Sequence, residues 1–129
     1  AKLHNKQINI DYSLYEFLED PLFTENNYKH NYTELYKTHP KFKDIINEDY
    51  KSQINLNQIT YPEHTFDKLN KRLLPFVNNI RNEYSNTNTK ILIVSHMSVV
   101  SSIKHYLQTG EPAQKDYFFP MGHLEHIQL

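Results

Sequence analysis

The sequence contains no cysteine and almost no glycine, and these two absences exclude several classes of site. Without Cys, the chain cannot form disulfides, use thiol chemistry or build a cysteine-type zinc site. Its only two glycines are Gly110 and Gly122, so it holds no glycine-rich loop of the kind that cradles nucleotide phosphates. A chain without cysteine is typical of the cytoplasm, and that is the compartment we expect.

A strong charge imbalance and long apolar runs are absent as well. The formal net charge is -1 at pH 7, which gives no electrostatic reason to expect nucleic acid as a partner. No apolar stretch approaches the roughly 20 residues of a membrane span, and no signal peptide is visible, so we expect no membrane partner. The 129 residues suit one domain.

The stretch Lys90–Leu107, KILIVSHMSVVSSIKHYL, predicts a strand, a tight turn and a helix. Ile91–Val94 is a short aliphatic run rich in β-branched residues, which is typical of a buried strand. Apolar residues then recur at helical spacing, and Ser98 is the predicted N-cap. His96 falls where open α/β sheets bind ligands and where a helix N-terminus attracts anions. The pattern alone leaves an ordinary surface histidine as an equal alternative.

Residues 61–84 give the clearest helical pattern in the chain. Thr65 is the predicted N-cap, and an apolar stripe follows it at helical spacing. Pro75 lies inside this pattern and predicts a kink or a break near Leu74. Because a buried strand and a second helix come next, the order of elements predicts a βαβ arrangement and a parallel sheet.

The first and last parts of the chain are less regular. Ile8 and Ile10 alternate as a short strand, and Glu16 follows it in an acidic stretch that the pattern alone favours as a solvated turn. Residues 21–60 form a polar, aromatic excursion that is long for a plain connection. Residues 122–129 predict a closing strand. The spacing of His123, Glu125 and His126 is not a standard ligand set, so we expect no metal there.

Three of these segments resemble, in order and spacing, the motifs of the histidine phosphatase (phosphoglycerate mutase-like) superfamily. ILIVSHMSVVSSIKHYL resembles its second-histidine motif, and INIDYSLYEF resembles the strand that leads to L-x-E, whose glutamate is the proton donor. YPEHTFDKLNKRLLPF resembles its P-x-E-S/T-x-x-D-x-x-x-R helix. The resemblance covers nearly the whole chain and implies an α/β fold, a three-layer α/β/α architecture with a mostly parallel central sheet that is incomplete in this chain.

The long aromatic excursion after L-x-E looks most like one branch of that superfamily. The branch contains the phosphatase domains of suppressor-of-T-cell-receptor-signalling proteins, the ecdysteroid-phosphate phosphatases and a phosphatase-like subunit of a yeast transcription factor. On this resemblance, residues 1–129 are the C-terminal portion of a single histidine-phosphatase-like domain, and residues 21–60 are an excursion on its substrate side.

The sequence departs from the family pattern in two ways. The R-H-G motif, which carries the nucleophilic histidine in the family, is absent, and so is the S-x-x-x-R-x-x-x-T block that follows it. We therefore expect the missing N-terminal half of the domain to be supplied covalently or by another chain, with a homodimer as one possibility, and the 129 residues to be unstable alone. In addition, Met97 stands where the family usually has a small residue.

The resemblance implies a phosphatase that hydrolyses a phosphomonoester, either a phosphorylated small molecule or phosphotyrosine, through a phosphohistidine intermediate whose nucleophile lies upstream of this chain. Glu16 would protonate the leaving group and then activate water, while His96 and Ser98 would bind the phosphate. Arg72 would be structural and pair with Asp67 or Glu63. No cofactor is implied.

Two alternatives remain open. One is a phosphoglycerate mutase, which the scarcity of arginine disfavours because a glycerate carboxylate needs basic partners. The other is a catalytically inactive phosphatase-like scaffold or assembly subunit, which the missing R-H-G motif and Met97 favour.

Overall fold

The computed structural model describes residues 6–18, 39–115, 120, 122, 124 and 127. Within these residues there are two α-helices, α1 (Phe66–Tyr84) and α2 (Met97–Thr109). Three short 3-10 turns precede them, at Tyr12–Leu14, Pro40–Phe42 and Leu56–Gln58. The described residues contain no strand, and their only β-type pairing is an isolated parallel bridge between Ile8 and Ile46.

The predicted three-layer α/β/α fold with a mostly parallel central sheet is therefore wrong for the part of the chain that the structure describes. Residues 91–94 have no regular secondary structure, and instead of being buried, Leu92 and Val94 are 76% and 81% exposed. A strand needs a neighbour for its N–H and C=O groups, and the described residues supply none. The predicted strand at Ile8–Ile10 is likewise reduced to the single bridge at Ile8, whose N–H donates to the carbonyl of Ile45 over 2.7 Å.

Helix α1 confirms the predicted N-cap and corrects the effect of the internal proline. The Thr65 side chain accepts a hydrogen bond from the N–H of Lys68. The helix continues past Pro75 without a break, so the predicted break is wrong. Pro75 and Lys71, whose carbonyl loses its helical donor, both lie at the exposed surface, where water can satisfy that carbonyl. The opposite face carries the buried stripe Leu69, Leu73, Phe76, Val77 and Ile80.

The N-cap of helix α2 lies two residues earlier than predicted. His96, rather than Ser98, occupies the N-cap position, and Gly110 ends the helix in the left-handed conformation with φ +81°. That conformation is strained for residues with a side chain, which explains the glycine. Arg81 of α1 donates to the carbonyls of Tyr106 and Leu107, both over 2.9 Å. This contact fastens the last turn of α2 to the last turn of α1.

Two apolar clusters form the interior. The first lies between α1 and α2 and consists of Phe17, Leu69, Leu73, Phe76, Val77, Ile80, Val99 and Ile103. The second contains Tyr12, Leu18, Ile54 and Ile59. Phe17 belongs to the first cluster and Leu18 to the second. Residues 11–18, which we call the site loop, therefore contribute side chains to both clusters.

Some predicted features fall outside the described residues. These are residues 21–38 of the predicted excursion and most of the predicted closing strand, including His123, Glu125 and His126. The described members of that strand, Gly122, Leu124 and Ile127, are not in β-structure. Neither helix in the described ranges has the length and apolar character needed to cross a membrane.

Candidate functional site

The site loop begins at the buried carboxylate of Asp11, which binds both the loop itself and residues 50–53. Asp11 accepts hydrogen bonds from the N–H of Ser13 at 2.9 Å and from the hydroxyl of Tyr50 at 2.6 Å. It also accepts from the hydroxyl of Ser52 and the N–H of Gln53, each at 3.1 Å. Burial and the hydrogen bond to Asp11 hold the pKa of Tyr50 well above its ordinary value, so Tyr50 stays a hydrogen-bond donor at neutral pH.

A buried ion pair holds the middle of the site loop. The guanidinium of Arg72 on α1 forms two parallel hydrogen bonds to the carboxylate of Glu63, at 2.7 and 2.8 Å. Their side chains are 3% and 1% exposed. The sequence predicted Asp67 or Glu63 as the partner of Arg72, and the structure shows Glu63, which precedes the helix.

The same arginine also binds the backbone of the site loop. It donates to the carbonyls of Ser13, Tyr15 and Glu16 at 2.7, 2.9 and 3.1 Å. Glu63 continues the contact, because its carboxylate accepts from the N–H of Leu18 and its own N–H donates to the Leu18 carbonyl, both at 3.1 Å. The loop thus has a fixed backbone although it lies in neither an α-helix nor a strand.

The two predicted catalytic residues are in direct contact. Oε2 of Glu16 lies 2.5 Å from Nδ1 of His96, although the two residues are far apart in the sequence. The other carboxylate oxygen of Glu16, Oε1, accepts from the N–H of Phe17 at 2.8 Å. Next to this pair, the hydroxyl of Ser95 donates to the carbonyl of Leu14 at 2.6 Å. Ser95 therefore joins the segment that carries His96 to the loop that carries Glu16.

The electrostatics of the pair favour the imidazolium form of His96. The hydrogen bond to Glu16 raises the pKa of His96, while burial and the charge of Arg72 oppose this effect more weakly. The His96 side chain is 57% exposed and that of Glu16 is 25% exposed, so the pair is open to a ligand. Because Nδ1 is directed at Glu16, the Nε2–H of the imidazolium is the second donor of this ring.

Ser98, the other predicted phosphate ligand, is the second residue of α2 and is half-buried. The first helical hydrogen bond of α2 runs from the N–H of Val100 to the carbonyl of His96, at 2.9 Å. The N–H groups before it have no acceptor within the helix, and they begin directly after His96. The structure therefore brings Glu16 and His96 together and places Ser98 two residues after His96 in α2, and among the described residues no hydrogen bond joins Ser98 to either of these side chains.

Two contributors to this arrangement are not apparent from the sequence. Ser95 forms a long-range hydrogen bond to the site loop. The only sign of this in the sequence is that a small hydroxyl residue stands directly before His96. The carbonyl groups of the site loop, which three of the Arg72 bonds use, leave no signal in the sequence because every residue has one. In the described ranges no group of three or more His, Asp or Glu side chains is placed to hold a metal ion.

The arrangement is suited to two kinds of chemistry. A carboxylate in contact with an imidazole can hold a proton and pass it to a bound oxygen atom. An imidazolium at a helix N-terminus can bind an anion, since both the ring charge and the helix dipole favour negative charge. No protein-family model matches the chain, and no curated protein or solved structure matches it either.

Proposed function

We propose that this chain is part of a phosphatase that hydrolyses a phosphomonoester through a phosphohistidine intermediate. The nucleophilic histidine is supplied by a segment outside these 129 residues, which belong to a single domain of the histidine phosphatase type. The observation that carries the proposal is the 2.5 Å contact between Glu16 Oε2 and His96 Nδ1. Two separate motifs predicted that Glu16 and His96 belong to one site. Two residues so far apart in the sequence would not be expected to be in contact by chance.

In this proposal His96 is a phosphate ligand that stabilises the transition state. Transfer of a phosphoryl group spreads negative charge over the equatorial oxygens, and fixed cationic donors stabilise that charge. The raised pKa of His96, caused mainly by its hydrogen bond to Glu16, favours one proton held between the two side chains before the reaction begins. The Nε2–H of His96 and the N–H groups at the start of α2, which include that of Ser98, are the donors to the phosphoryl oxygens.

Glu16 is the acid and then the base of the two chemical steps. A nitrogen of the nucleophilic histidine attacks phosphorus, the bond from phosphorus to the leaving oxygen breaks, and that oxygen takes from Glu16 the one proton that Glu16 shares with Nδ1 of His96. Glu16 then accepts a proton from water as the water oxygen attacks the phosphohistidine, which releases inorganic phosphate and restores the histidine. These steps require no metal and no organic cofactor.

The substrate of the proposed reaction is a phosphorylated small molecule or a phosphotyrosine, since an alcohol and a phenol are both leaving groups that Glu16 can protonate. The absence of cysteine accords with a cytoplasmic location.

Hydrolysis of an aryl phosphate tests this function. The 129-residue chain and the longer protein that contains it under this proposal are assayed side by side. We expect activity only in the longer protein. His96→Ala should lower kcat by about 10²–10³-fold because a transition-state donor is lost, and Glu16→Gln by about 10²–10⁴-fold because the proton donor is lost.

Matched controls separate these effects from general damage. His64→Asn and Glu111→Gln change an exposed histidine and an exposed glutamate outside residues 21–60 and outside the site, and we expect both variants to keep full activity. Trapping of phosphate on a histidine outside residues 1–129, detected by mass spectrometry of acid-labile phosphate, completes the test. Activity of the isolated chain, or a longer protein that is folded and inactive, would contradict the proposal.

The inactive scaffold or assembly subunit is the second candidate, and a different observation favours it. Leu92 and Val94 are among the most exposed large apolar residues that the structure describes, and apolar side chains in adjacent outward positions are typical of a surface that binds another protein. If the longer protein is folded and inactive, and Leu92→Lys abolishes its association with a partner while His96→Ala does not, the scaffold is correct and the phosphatase is wrong.

A further inference from the structure

We infer that Arg72 is a positioning residue for the Glu16–His96 pair: it fixes the backbone of the site loop so that the Glu16 carboxylate meets Nδ1 of His96. This inference rests on the proposed function, because it assigns a role to that pair, and it gives a role in the site to a residue that the sequence led us to expect only as structural.

The guanidinium of Arg72 uses every donor that it has. Arginine carries five N–H groups, and the structure gives Arg72 five hydrogen bonds, two to Glu63 and three to carbonyls of the site loop. Glu63 neutralises the buried charge, and the planar fork then fixes the three carbonyls relative to α1. One of these carbonyls belongs to Glu16 itself.

Among the described residues, side chains bind most of the carbonyls from Ser13 to Leu18 of the site loop, and Arg72 supplies three of these bonds. The 3-10 turn at Tyr12–Leu14 ends before Glu16, and the described chain supplies no strand to pair with the loop. Arg72 binds the carbonyls of Ser13, Tyr15 and Glu16. The hydroxyl of Ser95 binds the carbonyl of Leu14, and the N–H of Glu63 binds that of Leu18. Loss of the Arg72 fork would therefore remove a partner from the carbonyls of Ser13, Tyr15 and Glu16, whereas the carbonyl of Leu18 stays bound to the N–H of Glu63.

A direct role of Arg72 in phosphate binding does not fit its surroundings. The Arg72 side chain is 3% exposed, and each of its donors already has an acceptor within the protein. A phosphate could bind Arg72 only by displacing Glu63 or the loop carbonyls, which would leave buried acceptors without partners. Arg72 therefore acts through Glu16 rather than on the substrate.

The test is a titration of His96 by NMR in the full natural protein without substrate, with the His96 signals assigned by comparison with His96→Ala. Arg72→Lys keeps the positive charge near His96, so the electrostatic effect of that charge remains. The lysine side chain lacks the planar guanidinium that binds three carbonyls of the site loop. In Arg72→Lys we expect the pKa of His96 to fall by at least about half as much as it does in Glu16→Gln, because the Glu16 carboxylate no longer contacts Nδ1.

Arg81→Lys is the matched control, since Arg81 is the only other arginine in the chain and binds carbonyls at the end of α2. We expect it to leave the pKa of His96 unchanged. In the phosphatase assay, Arg72→Lys should lower kcat by at least about 10-fold with little change in KM, since misplacement of a catalytic group weakens the transition state alone.

An unchanged His96 pKa in folded Arg72→Lys would overturn the inference. If Arg72→Lys does not fold, Glu63→Gln decides, because it keeps the size of residue 63 but weakens the anchor of Arg72, and the same fall in the His96 pKa is expected. Failure of both variants to fold would also overturn the inference, because the ion pair would then serve the fold as a whole. A fall in the pKa in a protein without phosphatase activity would refute the proposed function and leave the positioning role of Arg72 intact.

Discussion

In α1 and α2 the backbone N–H groups bind carbonyls of the same helix, whereas in the site loop much of the backbone binds side chains from distant parts of the chain. The helices are joined by apolar packing of the first cluster. The loop is joined to them mainly by one arginine, one glutamate and one serine. Hydrophobic packing tolerates small shifts, but buried hydrogen bonds to a charged fork do not.

This difference shows how a chain without a paired strand at its site can still place a catalytic group. The polar contacts are directional, so they define where Glu16 lies more narrowly than packing would. They are also vulnerable, because removal of one partner leaves the others buried and unsatisfied. The following predictions test this contrast, beginning with the largest expected effect.

Arg72→Met should have the largest effect on stability. It leaves Glu63 as a buried charge without its partner, and we expect the free energy of unfolding to fall by about 3–5 kcal/mol. The double variant Arg72→Met, Glu63→Leu should recover part of this loss, because no uncompensated charge remains. Urea unfolding followed by circular dichroism measures both. A double variant that is no more stable than Arg72→Met would show that the charge is not the cause.

Leu69→Ala tests the helical side of the comparison. Leu69 is fully buried in the first cluster, and its truncation should lower the free energy of unfolding by about 2–4 kcal/mol through lost burial and a cavity. Unlike Arg72→Lys, it should leave the pKa of His96 unchanged in the same NMR titration. Leu74→Ala, at an exposed position on the same helix, is the control. A clear shift of the His96 pKa in Leu69→Ala would erase the distinction between the two regions.

Arg81→Met should have a smaller effect, because it removes hydrogen bonds at the margin of the helical pair. The Tyr106 and Leu107 carbonyls at the end of α2 lose a charged donor, but they lie near the surface, where water replaces it. We expect a loss of about 1–2 kcal/mol in the free energy of unfolding. Hydrogen exchange should show faster opening of the last turn of α2 only. Faster exchange throughout the site loop would contradict this prediction.

Glu16→Gln should have the smallest effect on stability, and that effect should depend on pH. The contact with Glu16 raises the pKa of His96 in the folded protein. Its contribution is therefore fully present below the ordinary histidine pKa of about 6.5 and is lost as the pH rises through the raised value. Because His96 is largely exposed, we expect a contribution below about 1 kcal/mol.

Thermal unfolding of the wild type and of Glu16→Gln across this pH range measures the difference between them. Glu48→Gln serves as the control, because it removes one carboxylate at an exposed turn. A gap between the wild type and Glu16→Gln that stays constant or widens as the pH rises would show that the His96 contact is not its source.

The parts of the structure that the sequence predicts are those that depend on local pattern. The cap at Thr65 and the apolar stripe from Leu69 to Ile80 follow from helical periodicity and capping chemistry alone. Glu63 could also be predicted as one of two partners of Arg72, because the two residues are close in sequence.

The parts that the sequence does not predict depend on contacts between distant segments. Aliphatic residues such as Leu92 and Val94 look like a buried strand whether or not a neighbouring strand is present, since the pattern records a preference and not a partner. The cap of α2 lies at His96 rather than at Ser98, directly after Ser95, whose hydroxyl binds the distant carbonyl of Leu14 without a local signal in the sequence. The motifs named Glu16 and His96, but their distance emerges only from the folded chain.

The fully occupied guanidinium of Arg72 has a consequence for how this protein can change over evolutionary time. A single substitution that removes the charge at position 63 or 72 leaves the other charge buried and unpaired, and selection against unfolded protein would remove such a variant. Homologous sequences should therefore retain both residues or have replaced both together, with single replacements nearly absent. The exposed pair Glu16 and His96 carries no such barrier, so a lineage that lost its chemistry could discard these two residues one at a time while positions 63 and 72 stayed the same.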